Sequence, residues 1–110
     1  MDAKQLLNES EKYKEQLINN RRYLHEHAET GFDLTETIAY VKAELTAMGY
    51  DVKECGKAGL TATVGKNAGK VFLIRADMDA LPIKEESGVE FASQNGRMHG
   101  CGHDMHTAML

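Results

Sequence analysis

Cysteine is scarce: only Cys55 and Cys101 occur among 110 residues. That is too few for a small secreted fold built on disulfides, and it favours a reduced, cytoplasmic setting. No apolar run approaches the roughly 20 residues of a membrane-spanning helix. Met1 to Glu15 scatters Lys4, Glu9, Glu11, Lys12 and Lys14 among isolated leucines, so it lacks the apolar stretch of a signal peptide. No membrane partner is expected. Basic residues are not in excess either: 13 against 17 acidic ones leave a net charge of −4. Nothing in that balance attracts nucleic acid. Internal repeats and low-complexity stretches are absent. What remains is 42% hydrophobic and 27% charged, the make-up of a folded chain rather than a disordered one. At this length it is one modest domain of marginal stability.

Two helical segments lead the chain. Leu6, Tyr13, Leu17 and Leu24 recur along one stripe, which predicts a helix over the first 27 residues, ended by Gly31. Leu34, Ile38, Val41, Leu45 and Met48 predict a second, with Asp33 and Glu36 as a capping box and Gly49 at its C-cap. The period then changes. Tyr50 to Cys55 alternates as a half-buried strand does, and Leu60 to Val64 is short and rich in β-branched residues. Val71 to Ile74 is apolar throughout, as in a strand covered on both faces, with Gly65 to Gly69 as a hairpin loop before it. From Asp104 a third helix opens and the chain stops inside it. The fold class is α/β with a layered sheet, and the chain reads as incomplete.

Three clusters could carry chemistry. His99-Gly100-Cys101-Gly102-His103-Asp104-Met105-His106 places three of the five histidines, a cysteine and an aspartate within eight residues. Thiolate and imidazole suit zinc and its transition-metal neighbours. If the backbone is extended, Cys101 and His103 point the same way, and the flanking glycines permit a tight bend. Asp104 and His106 could support that pair from outside it, or Asp104 could serve a helix N-terminus. The bland alternative makes Cys101 a small buried hydrophobe. A structural zinc site also needs about four ligands, and one such pair supplies two.

In the second cluster Asp77 and Asp79 follow the apolar strand, where α/β sheets gather ligands. Equally, they could solvate a turn before Pro82. In the third, His25 and His27 lie two apart on a helix and cannot face one another. Stabilisation of a helix C-terminus accounts for them without any role at a site.

Together the segments resemble the M20 metallopeptidases, and most closely the amidohydrolase subfamily of hippurate hydrolases, N-acyl-amino-acid deacylases and indole-acetyl-amino-acid hydrolases. The resemblance runs from about Ile18 to Leu110. It is carried by Arg21 to His27 with Glu29 and Gly31-Phe32, by Arg75 to Ile83, and by Met98 to His106. Ala28 and Thr30 depart from the family's usual Pro and Leu. The resemblance implies the N-terminal part of a three-layer α/β/α zinc-peptidase-like catalytic domain over residues 1–110, without its lid and dimerisation domain. It implies two divalent ions (Mn, Zn or Co), with Cys101 and His103 as ligands and Asp79 as the acid that orients the site. Asp104, His106 and Asp77 are implied as supporting residues. Asp77 stands where the wider family has a metal-binding His, and is not assigned as a ligand. The substrate implied is a small N-acyl amino acid, cleaved in a protein that could be a homodimer. The general-base Glu lies beyond Leu110, so the piece alone is expected to be inactive. The rival is a complete, non-catalytic binding module or a decayed-gene remnant.

Overall fold

The computed structural model describes residues 1–66 and 68–110. Its elements run α1 (Ala3–Glu11), α2 (Lys14–Glu26), α3 (Thr35–Ala47), β1 (Lys53–Cys55), β2 (Gly59–Thr61) and α4 (His103–Met109). Helices outweigh strands, in keeping with an α/β chain that carries little of its sheet.

The single N-terminal helix expected from the leucine stripe is two. Asp2 caps α1 through a box with Gln5, and the helix ends at Glu11, where Lys12 N–H turns back onto Glu9 O and Tyr13 N–H onto Ser10 O. None of α1 is buried, and Leu6 and Tyr13 are exposed. An apolar stripe holds a helix straight only where something covers it. Here only its far end, Leu24, reaches the interior.

Helix α3 forms where its periodicity placed it, and Gly49 closes it at φ +92° while Tyr50 N–H reaches back to Leu45 O. The expected cap is a correction. Leu34, not Asp33, is the N-cap residue, and no side chain of α3 caps it. The Glu29 carboxylate does so instead, accepting the N–H groups of Thr37 at 2.6 Å and Glu36 at 3.2 Å. An acid eight residues upstream thus meets the positive end of the helix. Helices α2 and α3 also join through Tyr23 stacked on Tyr40, 3.9 Å between ring centroids, with Tyr40 Oη donating to Asn20.

Strands β1 and β2 form an antiparallel hairpin, pairing Lys53 with Thr61 and Cys55 with Gly59. The hairpin turn is Gly56-Lys57-Ala58, ahead of the expected one. The Gly65 to Gly69 loop includes Asn67, which lies outside the described residues. Val71 to Ile74 is the larger correction: it forms no strand among the described residues, and its side chains are 73–90% exposed. A strand exists only where a neighbour takes its N–H and C=O groups. No backbone hydrogen bond reaches it among the described residues.

The interior is unusual in kind. Leu24, Ala28, Leu34 and Ala80 are its buried hydrophobic residues, whereas His25, Glu29, Thr37, Glu85, Ser93, His99 and Asp104 are buried and polar. Hydrogen bonding between distant segments therefore carries much of the packing that apolar side chains usually provide.

Candidate metal centre

Helix α4 begins at His103 because Gly102, at φ +123°, turns the chain into it. That conformation is open to glycine and strained for other residues. Gly100 is small for a different reason: a Cβ there would sit 3.1 Å from Ile83 Cδ1. The extended path through Cys101 and His103 that would align their side chains is therefore not what forms. A turn separates them. Cys101 is exposed, which removes the alternative of a small buried hydrophobe.

His103 meets both expected aspartates. Its Nδ1 lies 2.9 Å from the Asp79 carbonyl and 3.0 Å from Asp79 Oδ1. A carbonyl can only accept, so Nδ1 carries the proton. Nε2 is left pointing elsewhere, with Asp77 Oδ2 at 3.4 Å, too long for a good hydrogen bond. Asp77 is itself paired with Arg75, and its carbonyl accepts from the Thr107 hydroxyl at 2.7 Å. His106 stacks on His103 at 5.7 Å. Asp77, Asp79, His103 and His106 are thus brought together. Among the described residues, however, no three of His, Cys, Asp and Glu gather closely enough to hold an ion by themselves.

Behind this face lies a buried ionic network. His25, at the end of α2, sets Nδ1 2.8 Å from Asp104 Oδ2 and Nε2 2.7 Å from Glu85 Oε1. Arg21 Nε donates to the same Asp104 oxygen at 2.8 Å. Both ring nitrogens of His25 face carboxylates, so either the ring carries two protons or one carboxyl carries one. Phe91 closes the network, its ring edge-on to His25 and beneath the guanidinium groups of Arg21 and Arg22. Stabilisation of a helix end does not account for this histidine. His27 is different: its Nδ1 faces Tyr23 O and its ring stacks on Tyr23. Asp104 is in the first turn of α4, as expected, but its Oδ2 is given to α2, while Oδ1 accepts the Met105 N–H at 3.0 Å.

Glu85 was not legible in the sequence. It sits in Lys84-Glu85-Glu86-Ser87, which reads as a solvated charge run, and only its partners mark it out. Burial pushes its carboxyl up. Hydrogen bonds from the Ser87 hydroxyl and the Ser93 N–H, with the charge and hydrogen bond of His25, overcome this and hold it below the ordinary value of 4.5. His99 is buried too, with neither ring nitrogen partnered among the described residues. Burial, against the opposing pull of Asp104, keeps it below its ordinary 6.5.

Both shifts have the same sign for stability. A group whose folded pKa is depressed binds more protons when unfolded, so its contribution is present above the unfolded pKa and lost as pH falls through the folded one. Melting temperature should therefore hold near neutrality, decline below about pH 6.5 as His99 protonates more readily in the unfolded chain, and decline further below about pH 4.5 as Glu85 does. Thermal melts by circular dichroism from pH 7.5 to 4 check this, and a flat or rising profile would contradict it.

The profile of peptidase family M20/M25/M40 matches residues 73–110. An N-acyl-L-amino acid amidohydrolase of Geobacillus stearothermophilus is 47% identical over 100 residues, 88% of this chain and 27% of that protein. N-acetyl-L-cysteine deacetylase of Bacillus subtilis is 43% identical over 98 residues, 86% of this chain and 24% of that protein. The chain thus spans about a quarter of the length of these curated relatives. A dinuclear metal-binding M20 peptidase from Bacillus subtilis superposes with a TM-score of 0.82 at 42% identity, over 89% of this chain and 28% of that one. A structure described as an aminohydrolase, from methicillin-resistant Staphylococcus aureus, gives 0.89 at 42% identity, over 97% of this chain and 29% of that one. Backbone path and sequence thus make most of this chain similar to M20 peptidases, and residues 73–110 match the model of peptidase family M20/M25/M40.

Proposed function

We propose that residues 1–110 are the N-terminal portion of the catalytic domain of a divalent-metal amidohydrolase, in which Cys101 and His103 are two of the metal ligands. The observation that carries this is the ring of His103. Its Nδ1–H donates to the carbonyl and carboxylate of Asp79, which leaves Nε2 as a lone-pair donor. Metal-binding histidines are held in this way, their other nitrogen bonded to a carboxylate or carbonyl that fixes the tautomer and raises basicity. The donor set fits in kind, since an exposed thiol and an imidazole suit zinc, cobalt and manganese in differing degree. The remaining donors come from the rest of the protein.

When bound, such ions supply Lewis-acid polarisation of an amide carbonyl and activation of water near neutral pH. This chain's residues do the positioning. Asp79 keeps the proton on Nδ1 and orients the ring. Asp77, near Nε2, adds negative charge beside the donor, and His106 backs the ring by stacking. Asp104 anchors the first turn of the helix that carries His103.

The reaction we assign to the whole protein is hydrolysis of the amide bond of small N-acyl amino acids, as the names of the relatives suggest. A lid and dimerisation domain, a homodimeric assembly and a cytoplasmic setting belong to the same reading. No helix among the described residues is long and apolar enough to cross a membrane. The test is to express the complete reading frame and assay N-acetyl and N-benzoyl amino acids with Mn²⁺, Zn²⁺ or Co²⁺. Turnover that needs one of these ions is expected; none with any of them would sink the assignment.

A further inference from the structure

The motif around His25 remains without a task in that reading, and His25, Ala28 and Glu29 are buried rather than turned to the site. Its contacts point in two directions at once. Towards α4, His25 Nδ1 meets Asp104 Oδ2 at 2.8 Å, one residue along from His103. Towards the aspartate segment, Glu29 O accepts the N–H of Ala80 at 2.7 Å, one residue along from Asp79, and Thr30 pairs with Ala80 in a parallel bridge. Asn95 adds a third tie, its side-chain amide donating to Ala28 O at 2.8 Å. Three residues of one short segment, His25, Glu29 and Thr30, therefore grip both halves of the Asp79–His103 contact from behind. That contact is itself 2.9–3.0 Å long and spans 24 residues.

We infer that the His25 to Thr30 segment is a positioning frame for His103: His25, through Asp104, and Glu29, through Ala80, set the distance at which Asp79 accepts the hydrogen bond of His103 Nδ1–H. Three features argue for a frame rather than a mere core contact. The ties attach beside the two residues that meet, not at random points. His25 and Asp104 are 4% and 1% exposed, so their bond is shielded from the water that weakens surface pairs. His25 is further fixed on its other nitrogen by Glu85, which Ser87 and Ser93 hold in turn. An imidazole bonded at both nitrogens cannot swing, so a shift at one end passes to the other.

The function proposed above gives the frame its purpose, but its geometry is independent of any metal. The test is accordingly made on the metal-free 110-residue chain. With ¹⁵N-labelled histidines at one fixed pH, His103 should show a protonated Nδ1 and a bare Nε2. In His25→Gln, which offers a single amide where two carboxylates need donors, those ring signals should move to the averaged positions of a free imidazole. A role in stability alone would lower the melting temperature and leave the tautomer of the folded variant intact, and that result overturns the inference. Should His25→Gln lack a dispersed amide spectrum, Asp104→Asn decides, since it keeps the shape and one acceptor oxygen. The same shift is expected there, and an unchanged His103 overturns the frame. Zinc titration of the complete protein, in which the remaining donors are present, separates the two readings: a His103 that ignores zinc there counts against the ligand assignment and leaves the frame standing.

Discussion

Asp104→Ala is expected to remove most of the stability of the chain. The carboxylate is 1% exposed and receives Arg21 and His25 on one oxygen, both at 2.8 Å. Arg21 is partly open and can turn to water. His25, buried against Phe91 with Glu85 on its far side, cannot. Taking one partner from a buried ionic pair costs about 3–5 kcal/mol; Glu85 still faces the far nitrogen of His25, but Nδ1 loses its acceptor in a poorly polarisable interior. A domain of this size has about 5–15 kcal/mol in total, and four buried hydrophobic residues place this one at the lower end. The midpoint of urea unfolding should collapse towards zero denaturant in Asp104→Ala. In Asp104→Asn it should fall less, since an acceptor remains. An Asp104→Ala midpoint equal to the parent's would mean that the network contributes little to holding α4 on α2.

On the ligand assignment proposed above, the large effects in the complete protein should fall on Cys101→Ala and His103→Ala. Each removes a donor that nothing nearby replaces, because no three suitable side chains cluster among the described residues. Metal content after dialysis and turnover of N-acyl amino acids should both drop to background. Asp79→Asn is the informative contrast. It leaves both donors but weakens the grip on Nδ1, and changes to such orienting partners typically cost about 10–100-fold in metal affinity or activity. With cobalt, the thiolate-to-metal charge-transfer band should vanish in Cys101→Ala and persist in Asp79→Asn. A Cys101→Ala enzyme that keeps its metal and its rate would remove the thiol from the ligand set.

Much of the local structure was readable before any coordinates. Helix α3 follows from apolar residues at spacings of three and four, and Gly49 closes it because few other residues accept φ +92°. The opening of α4 and the donor-rich segment before it were equally plain, since a residue's chemistry does not depend on its neighbours. The break after α1 was missed because the leucine stripe continues across it while the burial that would sustain it does not. The strand at Val71 to Ile74 was expected from apolarity alone, but pairing needs a partner that composition cannot supply.

What the amino-acid order determined by itself was the side-chain chemistry of the His99 to His106 segment, the helix that carries His103 and the family that the chain resembles. Tertiary structure alone decided that Glu29 caps a helix eight residues away and that His25 meets Glu85 and Asp104 across 60 and 79 residues. Periodicity records which face of an element is covered. It carries no record of which distant charge a buried histidine needs beside it, and that choice is made only when the chain closes and water is excluded.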